Sequence, residues 1–246
     1  MTPPPVRTFP MRSLRHILLT LFLASLVCSF GAAPPLNSSE TCPLECVLKK
    51  MDETAANFRT AQADFVWDQY QKVVDETDTQ KGMVYYRRAG KEIEMMAEIK
   101  QPDSKFVLYK DGKLQVYQPK IEQVTQYATG SNRNEIESYL VLGFGGSGQE
   151  LTRSFEVSYL GEETVDGIAT AKLQLVPKSE KLRNNFSKIL LWIDLSRGIS
   201  VQQQFMQTQG DYRLAKYSGI RLKEKIGDEV FRLKTSGKTQ FLSPRG

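Results

Sequence analysis

KFVLYKDGKLQVYQPKIEQVTQY, residues Lys105 to Tyr127, is the stretch whose reading decides the fold of this 246-residue chain. Asp111-Gly112 stands between two short runs, Phe106 to Tyr109 and Leu114 to Tyr117. An Asp-Gly pair flanked by β-rich runs signals a two-residue hairpin turn, because both residues tolerate left-handed backbone angles. Pro119 has no N–H to donate to a ladder and closes the second run. A third run, Ile121 to Tyr127, follows after a short turn. No connection is long enough for a crossover helix, so the three runs read as an antiparallel meander.

The same up-and-down order extends upstream. In the run Ala61 to Val74, Phe65 and Trp67 share one face, with Val66 and Tyr70 on the other. The polar stretch Asp75 to Gln80 reads as a turn. Lys81 to Arg88 is a second strand, with Met83 and Tyr85 opposed to Val84 and Tyr86. The cleanest alternation follows: Ile93, Met95, Ala97 and Ile99 on one face, against Glu92, Glu94, Met96 and Glu98 on the other. One face is therefore buried and one wet. Before these strands, Val47, Leu48, Met51, Ala55 and Phe58 recur at helical spacing opposite Lys49, Lys50, Asp52 and Glu53, the pattern of an amphipathic helix.

Downstream, the period changes between Gly130 and Leu151. Asn132 with Glu135 can cap a helix whose apolar stripe is Ile136, Tyr139, Leu140 and Phe144. The segment GFGGSG, residues 143–148, then reads as a joint. Ser147 with Glu150 forms a second capping box. Beyond it strands resume: Phe155 to Tyr159, Ala171 to Leu175 up to Pro177, Lys188 to Asp194, Ile199 to Thr208 and Tyr212 to Lys223, separated by turns such as Asp166-Gly167. Asp228 to Leu233 is a short turn anchored by Phe231, and the tail after Lys234 reads as frayed. About ten strands in hairpin order, with a helix before them and one or two in the middle, predict an α+β protein that is mainly β: an incomplete, strongly curved antiparallel barrel with an N-terminal helix and a helical lid over a hydrophobic cavity.

The first 33 residues stand apart. Arg7, Arg12 and Arg15 precede an uncharged apolar run from Ile17 to Phe30, and Gly31-Ala32-Ala33 offers small residues for a signal peptidase. Residues 1–33 are expected to be a signal peptide and 34–246 a single exported domain. Without the signal, basic side chains fall from 33 to 30 against 28 acidic ones, and the sole histidine, His16, is gone. The mature chain lacks the basic footprint of a nucleic-acid binder and any histidine to serve as base or zinc ligand. The reading is of no enzyme, no catalytic residue, no cofactor and no metal. A hydrolase built on the adjacent carboxylates Glu162 and Glu163 is disfavoured, because neighbours on a strand point to opposite faces. Cys42 and Cys46, spaced C-x3-C, are a candidate disulfide in an oxidising compartment. So short a loop gives only about 0 to 2 kcal/mol.

If helices plug the open side of the curved sheet, the residues facing the space between are the candidate ligand-binding wall. These are Met51 and Phe58 from the helix; Phe65, Trp67, Met83, Tyr85, Ile93, Met95, Ala97, Ile99, Leu114 and Val116 from the strands; and Ile136, Tyr139, Leu140 and Phe144 from the lid. Methionine suits a cavity that must adapt its shape; Met83, Met95 and Met96 fall in adjacent strands, with Met51 on the facing helix.

The order of motifs resembles that of the LolA-type periplasmic carriers of lipoproteins. After a signal, a helix and a first strand, Gly82 opens a strand ending in an arginine. Gln101-Pro102-Asp103, Asp111-Gly112, Leu114, Tyr117, Pro119 and Gln123-Val124 follow at the family's spacing. Leu175-Val176-Pro177-Lys178, Ile193-Asp194, Gly198 and Phe231 match in the second half. The resemblance covers residues 45–235. It implies an incomplete barrel with a helical lid, and a soluble monomeric shuttle that accepts lipoprotein acyl chains from an inner-membrane ABC-type release complex and passes them to an outer-membrane acceptor. The family arginine that hydrogen-bonds the closed lid falls on Arg88, with Arg87 as its competitor. The sequence departs from the pattern at Ala89-Gly90, where proline is usual, and at Gln115, where tryptophan is frequent.

The physics supplies a reason for such a carrier. Each buried methylene contributes about 0.8 kcal/mol, so an acyl chain of roughly 15 such groups is held by up to about 12 kcal/mol against release into water. The same architecture also suits an envelope-stress sensor or a carrier of another lipid, since an apolar cavity reads chain identity poorly.

Overall fold

The computed structural model describes residues 43–90, 92–128, 140, 142 and 144–243. The expected signal peptide, Cys42, Ile136 and Tyr139 lie outside the described residues. Helix α1 (Leu44–Ala56) leads into β1 (Thr60–Gln71), β2 (Glu76–Ala89), β3 (Glu92–Gln101), β4 (Lys105–Lys110) and β5 (Lys113–Gln118). A 3-10 turn at Pro119–Ile121 precedes β6 (Gln123–Ala128). Helix α2 (Gly148–Ser154), β7 (Phe155–Val165), β8 (Ile168–Pro177), a single turn of helix α3 (Glu180–Arg183), β9 (Lys188–Asp194), β10 (Ser200–Met206), β11 (Tyr212–Leu222) and β12 (Gln240–Leu242) complete the order.

All twelve strands form one open, curved sheet in the order β12-β6-β5-β4-β3-β2-β1-β11-β10-β9-β8-β7. Every pairing is antiparallel except that of β12 with β6. The meander reads true: Asp111 (φ 50°) and Gly112 (φ 68°) are both left-handed, as a hairpin turn matched to strand twist requires, and Asp166 (φ 48°) and Gly167 (φ 80°) repeat the device.

Two expectations are corrected and one element is added. Asp75 to Gln80 is mostly strand. Glu76 pairs with Gln71 and Thr77 with Tyr70, in a hairpin that projects into solvent and is held by polar pairs such as Thr79 Oγ1 donating to Asp68 at 2.7 Å. Polarity there marked two wet faces, not a turn. The tail is not frayed: Gln240–Leu242 pairs with β6, and Gln240 N donates to the Glu122 carbonyl at 2.8 Å. The helical turn α3 was not foreseen, because four residues carry no period.

Pairing register sorts the side chains. On the inner face, β1 to β4 and β11 present Ala63, Phe65, Val84, Tyr86, Ile93, Met95, Ala97, Tyr109 and Tyr217 to one apolar cluster. On the same face, β7 to β10 present Leu173, Leu175, Ile189, Leu191 and Phe205 to a second cluster, capped by Val47 and Met51 of α1. The outer face of β3 and β4 carries a third cluster, where Met96 and Leu108 meet Ile226 and Phe231 of the C-terminal segment.

Helix α1 forms because Val47, Met51 and Ala55 repeat every four residues and share one buried stripe. Its seat is the β9–β10 turn. Asp194 accepts from Ser196 N (2.8 Å), Ser196 Oγ (2.6 Å), Arg197 N (3.1 Å) and Arg197 Nε (2.5 Å). Thr54 Oγ1 then donates to the Arg197 carbonyl at 2.7 Å. Gly198 (φ 65°) lies so close that a Cβ would come within 2.7 Å of the Lys50 carbonyl oxygen. The Ile193-Asp194 and Gly198 motifs thus serve to dock the helix.

Candidate lipid-binding face and its lid

Between β6 and α2, the described residues Leu140, Leu142 and Phe144 lie against the inner face. Of these, Leu142 and Phe144 are fully buried. Phe144 stacks on Tyr86 (5.3 Å between ring centroids) and meets Tyr217 edge-on (4.8 Å), and Leu140 packs beside it. Burying a phenylalanine contributes about 2–3 kcal/mol, so Phe144 is a plug whose removal from the wall carries a real cost. Leu142 reaches the second cluster, alongside Met51 and Leu151.

Two polar contacts hold the backbone of this cover. Arg88 Nη2 donates to the Gly145 carbonyl at 3.1 Å, and the amide of Gln203, itself buried, donates to the Leu142 carbonyl. Arg88 also lies over the Phe58 ring at 5.9 Å. Arg87 points through the opposite face. It bonds Glu94 (2.7 Å) and Asp228 (2.6 Å), and its guanidinium covers Phe231 at 4.5 Å. Of the two competing arginines, Arg88 is the one that bonds Gly145.

Gly145 and Gly148 have a packing role. Gly145 (φ 84°) lies against Phe58, where a Cβ would come within 2.6 Å of the ring. At Gly148 a Cβ would come within 2.7 Å of the Leu48 carbonyl, so α2 and α1 touch through this residue. The Ser147–Glu150 capping box forms in both directions, at 3.1 Å each, and Asp52 of α1 accepts from Gln149 N at 3.2 Å.

Phe58, Phe65, Trp67, Ile93, Met95, Ala97, Ile99, Leu114, Leu140 and Phe144 share the first inner cluster. Val116 is opposite Val107 in the ladder and so on the same face. Met51 is buried in the second cluster. Met83 and Tyr85 require correction. They lie on the outer face, where Met83 pairs with Glu98, and Tyr85 Oη donates to Met83 Sδ at 3.5 Å. Met96 joins them there, so the methionines do not form one group. Both faces of β2 are apolar, and alternation alone cannot say which is inner. The inner residues are Val84 and Tyr86, with Arg88 two positions on.

Gln203 and Tyr217 escaped the sequence reading. Gln202, Gln203 and Gln204 are consecutive, which hides parity, but Val201 and Phe205 are both buried and set Gln203 in line with them. Tyr217 Oη donates to Gln203 Oε1 at 3.4 Å, and burial pushes the Tyr217 hydroxyl up to about 12. Glu163 is bound to Lys172 (2.7 Å) and Trp192 (2.6 Å), and its carboxyl is held low chiefly by the Lys172 bond, the reverse of what a general acid needs. Cys46 is in a disulfide.

Clefts of about 340, 450 and 380 Å³ lie at α1 and β9, along β11, and beside Arg88. Charged side chains line all three. In the described residues the wall is met by the aromatic rings of Phe58 and Phe144.

The family model for the outer membrane lipoprotein carrier protein LolA matches residues 56–234. The chain belongs to the LolA family. No curated protein matches it significantly. Among solved structures, an uncharacterized conserved protein from Thermus thermophilus aligns with TM-score 0.52 and 11% identity, covering 81% of this chain and 98% of its own. MucB aligns with TM-score 0.51 and 12% identity over 81% of this chain and 65% of its own, so the LolA-like chain spans less than two thirds of MucB. A LolA superfamily protein from Nitrosomonas europaea aligns at 16% identity, TM-score 0.39, over 78% of this chain and 98% of its own. At such identities the likeness is one of fold. LolA membership supports a lipid- or lipoprotein-binding carrier role.

Proposed function

We propose that this chain is an exported, monomeric carrier that shelters the acyl chains of lipoproteins between its sheet and its lid. It takes them from an inner-membrane ABC-type release complex and delivers them to an outer-membrane acceptor. One observation carries the reading: an apolar inner face runs across both halves of the sheet, and its cover includes a phenylalanine plug and a backbone held by Arg88 and Gln203. Lifting Phe144 and Leu142 would bare a largely apolar wall that acyl chains can cover in their place. No helix among the described residues is long and apolar enough to cross a membrane. The test is reconstituted transfer of a lipidated substrate from inner-membrane vesicles to outer-membrane vesicles, with added protein expected to stimulate it.

The burial of Leu142 and Phe144 against the wall favours a second reading on the same fold, a sensor or a carrier of another lipid. Mass spectrometry of lipid co-purified with the exported protein separates the two. Lipoprotein-derived acyl chains support the shuttle, and a different lipid alone supports the alternative.

A further inference from the structure

Four hydrogen-bond donors interrupt the apolar wall under the lid: Arg88, Trp67, Gln203 and Tyr217. The acceptors that the lid offers them are backbone carbonyls, Gly145 O for Arg88 and Leu142 O for Gln203. Two donors are left over. Trp67 Nε1 and Arg88 Nε are both buried without a hydrogen-bond partner. The indole lies near enough to the Tyr217 hydroxyl to pull it down a little against burial, but not in the geometry of a hydrogen bond. Trp67 sits opposite Ala215 on β11, and Ala215 sits opposite Gln203 on β10. The indole and the amide therefore flank one residue in a single row across the sheet, about 10 Å apart at two strand spacings. Tyr217 lies one pair along the same face, opposite Phe65, and its bond to Gln203 Oε1 turns the amide N–H toward the lid.

A hydrocarbon tail in place of the cover would leave Trp67, Arg88 and the Gln203 amide N–H buried and unpaired, which disfavours every purely apolar ligand. A ligand rich in acceptors and poor in donors would satisfy them. The ester and amide carbonyls that join acyl chains to their linker have that chemistry.

We infer that Gln203, Tyr217 and Trp67 form a carbonyl-recognition row for those groups, and that the Leu142 carbonyl stands in for the ligand while the lid is shut. The inference rests on the carrier reading above and deepens it. The row lies where the two inner clusters meet, so chains anchored there by their carbonyls can run into either half of the sheet. Lid and cargo then compete for the same donor, which couples loading to opening without a separate trigger.

The test uses the full chain and two soluble lipids: dioctanoylphosphatidylglycerol and its dioctyl ether counterpart, which has the same chains and headgroup but no ester carbonyls. The ester should bind about three- to tenfold more tightly, the range of one net hydrogen bond. Gln203→Leu should bring the ester-to-ether ratio close to one. The ratio cancels any change in lid opening, which affects both ligands alike. Trp67→Phe removes an unpaired donor while keeping a ring on Phe65, and should lower the ratio in a protein whose fold is undisturbed. Equal affinity of the unmodified chain for both lipids overturns the row and leaves the carrier reading intact. Failure to bind either lipid overturns both.

Discussion

Arg88 and Gly145 are joined by a 3.1 Å hydrogen bond from a guanidinium to a backbone carbonyl, 57 residues apart in sequence. In the proposed carrier this bond belongs to the closed lid, so it favours the closed state. A charge-assisted hydrogen bond is worth about 1.5–3 kcal/mol, enough to shift the open-to-closed ratio roughly ten- to hundredfold. Arg88→Leu should therefore bind cargo but release it poorly, because closure no longer helps to expel it. The measurement is transfer from loaded variant to acceptor membranes, and wild-type delivery would refute the latch.

Met95 and Met83 lie on opposite faces of adjacent strands, which makes them a matched pair. Met95→Glu sets a carboxylate on the inner wall and should abolish lipoprotein pick-up with the far-UV spectrum intact. Met83→Gln alters only the outer face and should leave pick-up within about twofold, since outer-face polar changes cost little. Equal effects from the two variants would contradict the assignment of the inner face.

Gly145→Ala adds a methyl group at a left-handed residue, directly against Phe58. The closed lid should lose about 1 kcal/mol or more, since the new side chain is strained whichever way the ring moves. Limited proteolysis of the segment between β6 and α2 should accelerate several-fold while overall unfolding changes little. Unchanged cleavage would mean that the contact does not hold the lid.

Asp194 gives a pH prediction. Burial alone would raise its carboxyl, but hydrogen bonds from Ser196 and Arg197 outweigh that and hold it below the ordinary 3.8. A carboxylate lowered by folding stabilises fully above its unfolded value, and the stabilisation disappears as pH falls through the folded one. Asp194→Asn should depress Tm at neutral pH, by about 2–4 °C for each kcal/mol lost. The gap from wild type should narrow below pH 3.8. A constant gap at every pH would mean that the charge plays no part in seating α1.

Much of the architecture was legible because hairpin chemistry is local. Asp111-Gly112 and Asp166-Gly167 announce their turns, and the alternation of Ile93, Met95, Ala97 and Ile99 announces its face. What was hidden depends on pairing at long range. Val84 and Met83 are equally apolar, and only the C-terminal segment packing over Met96 and Leu108 makes the outer face a second buried surface. Gln203 reads as one polar residue among three until Leu142, 61 positions earlier, is laid across it. The capping box at Ser147 was visible; the reason for the neighbouring glycines, contact with Phe58 and Leu48, was not.

The two ends of the sheet, β7 and β12, do not pair with each other. In a closed barrel the girth is fixed by strand number and stagger. Here it is set by how far the sheet bends, so the proposed carrier would accommodate a bulkier or more highly acylated passenger by flattening the curve with every ladder bond still made.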